Sequence, residues 1–520
     1  MKKTGYIAHH FPGTEEQNNL LNEVAKNLNE HGKHLLAHIL NSQIINGDIS
    51  VPIAARLVQE KLPKTKLNDL VKNNIIYQTR AYCKDAGISR EYLVNPEIYK
   101  AFMNLEPYTI TDILKGKTYN LCTGKIIKRK KPSKTKFTDK NRHQKFSDIQ
   151  KESVKNIQSC RINVLAVNAF METKKKQVIL NGNQKNDLLS LQHDINCLSG
   201  IVDRAIKIND DFIIYQSTWE SQSSGRITEL GGGIQNASAG LKAAMIENTG
   251  YINLDIKSSQ VAGAETELRK CLVDTSWFDY YREIGKERMA EKIGISVSNW
   301  KGILCSILMG GFPLMTKSGN FKAKTIVDLL NYECVRRYIC PEVGLTVEWN
   351  FKGRFYNYYA TKGNDLTASM NMFAILKAVH KECKGLIDGI NQWHDLLFYS
   401  DWVAIAGSFK RPDFIATNKA DCRLNLTEFT KHKPNAKSKE KANYNLKSEG
   451  KRKLAAHILQ GKEAAFIHYI TSFSDDFGFT VVSNQHDGLI IDGNIPLELI
   501  QNAKDFAGFP NAELIEKSIN

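Results

Sequence analysis

Apolar residues recur three and four positions apart in the first part of the chain, as in Leu20-Leu21, Val24 and Leu28, then Leu35-Leu36 and Ile39-Leu40. That period predicts short amphipathic helices between about residues 15 and 115, broken near Pro52 and Pro63. Helical spacing returns from about 147 to 209, through Leu188-Leu189, Leu191 and Ile195, then Ile201-Val202 and Ala205-Ile206. The pattern then changes. Compact apolar runs at Phe212 to Tyr215 and Tyr251 to Leu254 predict strands around a polar, glycine-rich stretch. The segment 276 to 310 reads as helical, stopped by Gly310-Gly311 and Pro313. Residues 315 to 448 are mixed, ending in a lysine-rich stretch from Lys431 to Lys447 that reads as an exposed loop. A last helix is predicted from Lys451 to about Ile470. After it, the runs Phe479 to Val482 and Leu489 to Ile491 flank Asp487-Gly488, a strong hairpin signal. No internal repeat is present.

At 520 residues the chain has room for two to four domains. A hydrophobic fraction of 42% and a charged fraction of 24% are those of an ordinary soluble protein. Lysine and arginine outnumber acids 71 to 55, giving a net charge of +16 that favours a polyanionic partner. Part of that excess is local: ten of the 21 residues from Lys125 to Lys145 are basic against the single acid Asp139. Such a segment repels itself, which suits either an extended linker or a contact to a phosphate backbone. The N-terminus has no apolar signal core, and no stretch reaches the roughly 18 apolar residues of a membrane span. The ten cysteines form no C-x-x-C pair, so reduced thiols in a cytoplasmic protein are expected.

The candidate chemistry begins with two acids at the ends of strand-like runs, Asp255 and Asp487. Mg²⁺ takes oxygen ligands and keeps several waters, so one or two carboxylates can hold it beside substrate phosphates. Two such ions can clamp the attacking and leaving oxygens of an in-line phosphoryl transfer. Taken singly, Asp487 before Gly488 is as well explained by a turn. The pair His394-Asp395 is a rival, and His31, His34 and His38 have helical spacing that suits a packed face better than a metal. Lys301, Cys305 and Met309 fall on one helical face, from which the lysine can reach a triphosphate.

In order along the chain, four segments resemble the signatures of family A DNA polymerases, those related to bacterial DNA polymerase I. Ser224-Gly225-Arg226 followed by Ile234-Gln235-Asn236 resembles the T-G-R-L-S-x6-L-Q-N signature. Leu254-Asp255 with Ser258, Ser259 and Gln260 resembles motif A, and Lys301-x7-Met309-Gly310 resembles motif B. Arg452-x7-Gln460-Gly461-x-x-Ala464-Ala465, then His486-Asp487, resemble the last helix signature and motif C. The resemblance implies that Asp255 and Asp487 hold two Mg²⁺ ions, with Mn²⁺ as a substitute. It implies that Lys301 binds the incoming triphosphate and protonates the leaving pyrophosphate, with Met309 and Gly310 beside the nucleotide. Arg226, Gln235, Arg452 and Gln460 would contact primer or template, and His486 would steady the primer end. Gln260 stands where the family has a Glu that excludes the ribose 2′-OH, so sugar choice leans towards deoxynucleotides. Departures are Cys305 and Met309 for aromatics, Val297 for an arginine, and Gly488 for the acid that often follows motif C.

The expected fold class is α+β: a right-hand polymerase with an antiparallel palm sheet, helical fingers and thumb, and a helical N-terminal domain. The expected divisions are 1–124 helical accessory domain, 125–146 basic linker, 147–211 thumb-like helices and 212–275 first palm segment. Then follow 276–314 fingers, 315–448 an insertion or extended fingers element, and 449–520 second palm segment. The expected partners are a DNA primer-template and nucleoside triphosphates, with the protein acting as a monomer away from membranes. No D-x-E pair precedes the first signature, so no 3′→5′ proofreading exonuclease is expected, and a phage, plasmid or mobile-element setting suits the divergence. Two alternatives stay open. One is a single-subunit RNA polymerase related to the phage enzymes; the other is a nucleic-acid-binding replication initiator with a degenerate polymerase core.

Overall fold

The computed structural model describes residues 7, 9, 11–46, 50–80, 90–105, 119–126, 145–181, 185–312, 315, 320, 329–330, 332–349, 355–360, 365–408, 411–433 and 440–517. Helices and antiparallel sheets are mixed throughout. The N-terminal region is not purely helical, contrary to the sequence reading. Its helices pack around two small sheets, one of them pairing Val51–Ile53, Arg90–Val94 and Ile76–Arg80. The basic segment begins inside the other sheet, where Lys125–Ile126 pairs with Tyr119–Asn120; residues 127–144 lie outside the described residues. Within 147–211, the helices Val164–Leu180 and Lys185–Asp203 are accompanied by two strands that the helical reading did not foresee, Cys160–Asn163 and Ala205–Ile208, which flank the predicted strand Phe212–Tyr215 in one sheet.

The site is framed by a smaller set of elements. Strands β1 (Trp219–Ser221) and β2 (Ile227–Glu229) form a hairpin, followed by helix α1 (Ala239–Ile246) and strand β3 (Ile252–Ile256). Helices α2 (Ser259–Lys270), α3 (Ser276–Ile293) and α4 (Val297–Leu308) follow, then a 33-residue helix α5 (Asp365–Leu397). Helix α6 (Ser448–Ser472) leads into strands β4 (Thr480–Asn484) and β5 (Gly488–Asp492), helix α7 (Leu497–Ala507) and strand β6 (Leu514–Glu516).

Strands β4, β5, β3 and β6 form one antiparallel sheet in that order. Every residue of β5 up to Ile491 is buried, because the sheet is covered on both faces. Val481, Leu489 and Ile491 pack with α6 and α7, whereas Val482 and Ile490 join the core of helices around residues 164–246. Two covered faces explain the continuous apolar runs, since alternation is expected only where one face meets water. Val482 is the extra residue of a bulge opposite β5, a device that re-aims side chains near sites.

Helix α4 ends as its sequence predicts. Gly310 takes φ +70°, its N–H bonds to the Ile307 carbonyl, and Gly311 N–H bonds to the Ser306 carbonyl, both at 2.7 Å. That is a Schellman termination, with the last carbonyls of the helix satisfied by the turn. The Lys431 to Lys447 stretch is not wholly loop: Thr430–His432 pairs with Tyr444–Leu446, with 434–439 outside the described residues.

Candidate active site

Asp255 lies opposite Gly488 in the β3–β5 ladder, and Ile256 N–H donates to the Asp487 carbonyl at 2.7 Å. The two acids are therefore neighbours, one on β3 and the other in the turn that leads into β5. The turn that presents Asp487 differs from the expected Asp-Gly turn. Its left-handed residue is His486, at φ +72°, and Gly488 already belongs to the strand. The reason is space: a Cβ at 488 would collide with the Leu254 carbonyl oxygen. Glycine is thus required here by strand approach rather than by turn conformation. His486 N–H is held by Asn484 Oδ1 at 2.9 Å, while its Nδ1 is buried without a partner.

Negative charge accumulates at this point. Burial first, then the charges of Asp255 and Glu463, push the Asp487 carboxyl up to about 6, against the opposing pull of Arg226. Two carboxylates so close cannot both ionise at ordinary cost without a cation. The ring of His486 is pushed down to about 4 by burial and by the nearby Arg226 and Lys242 charges, so it is neutral at pH 7.

Three charged residues complete the site that the motifs did not flag. Glu463 is buried on α6, where it pairs with Arg226 and accepts from Ser259 Oγ. Lys517 Nζ lies 2.7 Å from Asp255 Oδ2. Lys242 on α1 is half-buried and donates to Gln485 Oε1 in the turn; burial and then Lys517 lower its pKa, opposed by Asp255 and Asp487. Glu463 occupied an unassigned position of the Gln460 to Ala465 signature. Its signal was an acid within the uninterrupted buried stretch Gly461 to His468 of α6. Lys242, a lone lysine in the apolar helix AGLKAAMI, offered a weaker signal, and Lys517 offered none.

The segment that carries Arg226 into β2 is fixed from behind. The Gly225 carbonyl accepts from Gln150 Nε2 at 2.7 Å and from His468 Nε2 at 3.0 Å. Gly225 has φ +95°, and a Cβ there would stand 2.6 Å from Ala420 Cβ. The Gln235 amide is wholly engaged within the protein. Its Oε1 accepts from Glu229 N–H at 2.8 Å, and its Nε2 donates to the carbonyls of Ile227 at 3.0 Å and Asn484 at 2.8 Å. Gln235 thereby ties the β2 hairpin to the end of β4, immediately before the Asp487 turn.

Helix α4 brings Cys305 near the site. Cys305 is exposed, yet its thiol feels the charges of Glu463 and Asp487 and of Arg226, after the larger effect of desolvation that raises it. Cys305 therefore lies within electrostatic reach of the carboxylates; Lys301 is one helical turn before it on α4 and Met309 caps the helix one turn after it. Lys301 is exposed and forms no ion pair among the described residues. Gly310 packs on His394, because a Cβ at 310 would meet that ring. His394 is accordingly a buried packing residue on α5, and Asp395 pairs with Lys451, so the rival pair is not on the sheet.

On α6, Arg452, Ala456, Gln460 and Glu463 share one face that runs from exposed to buried. Arg452 and Gln460 carry no hydrogen bond or ion pair among the described residues, so their polar groups are available. Gln260 is the second residue of α2, which follows the left-handed Ser258 at φ +48°, and its Oε1 is buried without a partner. Among the described residues, no three His, Cys, Asp or Glu side chains gather as a metal cage. No helix among them is long and apolar enough to cross a membrane.

No family model and no curated protein matches the sequence. Among solved structures, the chain is similar to the POL domain of Pol1 from M. smegmatis in complex with DNA primer-template and dNTP, with a TM-score of 0.36 and 11% identity. That match covers 66% of this chain and 55% of the other, so this chain spans about half the length of the structure it matches. At that degree of likeness, function has to be read from the side chains described above.

Proposed function

We propose that this protein is a template-directed DNA polymerase that adds deoxynucleotides to a primer 3′-OH. The observation supporting this most strongly is the meeting of Asp255, on β3, with Asp487, which immediately precedes the adjacent strand β5. The donor set suits magnesium: carboxylate oxygens from two neighbouring acids, with burial first and then the Asp255 and Glu463 charges raising Asp487. When bound, a pair of such ions would supply activation of the 3′-OH and charge neutralisation on the leaving pyrophosphate.

The protein's own groups would do the remainder by positioning and electrostatics, which is most of what phosphoryl transfer needs. Lys301 would meet the triphosphate, with Met309 and Gly310 beside the base. Gln260 would crowd the ribose 2′ position, favouring deoxynucleotides. Arg226, Arg452 and Gln460 would face primer and template. His486, neutral and with an unpartnered Nδ1, would steady the primer end. Gln235 would act by holding the Asp487 turn in place. In this scheme the four-stranded sheet is the palm, α3 and α4 belong to the fingers, and the helices Val164–Leu180 and Lys185–Asp203 serve as the thumb. A monomer without proofreading, in phage, plasmid or mobile-element replication, remains part of the proposal.

The test is single-nucleotide incorporation on primer-templates that differ only in the first template base, with Mg²⁺ and each dNTP or NTP in turn. Incorporation that follows the template base and prefers dNTPs is expected. Primer-independent synthesis from NTPs would favour the RNA polymerase alternative, and binding without incorporation under any metal would favour the replication initiator.

A further inference from the structure

Lys517 follows the edge strand β6, which is paired with β3 through Leu254 to Glu516 and Asp255 to Ile515. Its N–H donates to the Asn253 carbonyl at 2.9 Å, so the backbone is clamped to the sheet as it passes the site. The ammonium rests 2.7 Å from Asp255 Oδ2, on a side chain that is 60% exposed. Nothing in the core depends on it. Lys242 differs: it is half-buried on α1 and tied to Gln485. Of the two lysines beside the carboxylates, Lys517 is therefore the one whose four-carbon stem can swing into solvent at little cost.

An Mg²⁺ ion on a carboxylate oxygen sits about 2.0–2.1 Å from it. With the ammonium already on Asp255 Oδ2, a divalent ion at the same oxygen would lie close to a like charge. Both cannot occupy that oxygen's lone pairs facing the site without mutual repulsion.

We propose that Lys517 is a resident counter-cation: it holds Asp255 in the metal-free protein and has to leave Asp255 Oδ2 before a divalent ion is taken up there. The proposal rests on Asp255 and Asp487 being metal ligands. It makes metal uptake a cation exchange, so the affinity of the free protein for divalent ions is set partly by a lysine that ligates nothing.

The test is Mn²⁺ binding followed by electron paramagnetic resonance, on the full chain without DNA or nucleotide, for wild type, K517Q, K517R and D255N. K517Q should bind Mn²⁺ roughly threefold to tenfold more tightly, as expected when an exposed competing charge is removed. K517R should stay near wild type, and D255N should lose the site. Melting curves on the same samples check folding; should K517Q not fold, K517M serves as the second neutral variant. Equal or weaker binding by a folded neutral variant, with D255N still abolishing the wild-type signal, overturns the counter-cation role alone. No Mn²⁺ binding by wild type or neutral variant overturns both this role and the metal-site reading.

Discussion

Gly488 stands opposite Asp255 in the antiparallel ladder, with the Leu254 carbonyl oxygen filling the space that a side chain at 488 would need. The acid that follows motif C in the resembling family has no room here. Gly488→Ala forces the strands apart just where Asp487 is presented. The expected result is a destabilisation of about 1–3 kcal/mol, the usual cost of overpacking, together with loss of primer extension. Denaturant melts and extension assays on one preparation check both.

Glu463 and Arg226 form a buried ion pair in which the acid is almost wholly inaccessible. Removing one partner strands the other, so Glu463→Ala should cost about 3–5 kcal/mol, measurable by urea unfolding. Replacing both residues with apolar ones of similar size should recover much of that stability while still impairing activity, because Arg226 is gone.

The Asp487 carboxyl holds its proton to about pH 6, against about 3.9 for an ordinary aspartate. Between those values the native protein binds more protons than the unfolded chain, so this group's contribution to stability falls as pH rises from about 4 to about 6. Asp487→Asn should therefore melt higher than wild type at pH 7.5, with the difference shrinking towards pH 4. Added Mg²⁺ should raise the melting midpoint of wild type at pH 7.5 and leave the variant unmoved.

Gln260 carries a buried Oε1 with no partner at the start of α2. If its bulk limits the sugar, Gln260→Gly should raise the use of NTPs relative to dNTPs by roughly tenfold or more, about 1.4 kcal/mol of discrimination. Unchanged sugar selectivity in a folded, active variant would remove Gln260 from that role.

The pairing of Asp255 with Asp487 was legible because Asp255 closes one compact apolar run and Asp487 stands just before another, and apolar runs of that length become buried strands. The end of α4 was legible from Gly310-Gly311 for an equally local reason. What escaped was non-local. The strands Val51–Ile53, Ile76–Arg80 and Arg90–Val94 are short, the first contains Pro52, and their pairing spans segments far apart in sequence. Helix α5 lies inside the stretch 315 to 448, which reads as mixed in sequence, and Gly385 and Gly389 fall within it. Gly389 permits close packing, since a Cβ there would be 3.0 Å from Leu268 Cδ2. Glu463, Lys242 and Lys517 are single charges, and single charges have no period; only folding shows that Glu463 meets Asp487 and that the two lysines meet both aspartates.

The most direct measurement is extension of a labelled primer by wild type, Asp255→Asn and Asp487→Asn, with DNA affinity determined on the same samples. Both variants should lose extension by roughly a thousandfold or more, as expected when charge stabilisation of the transition state is removed, while binding primer-template within a few-fold of wild type. Extension at near wild-type rate by either folded variant would contradict the central claim that these two carboxylates together form the catalytic centre.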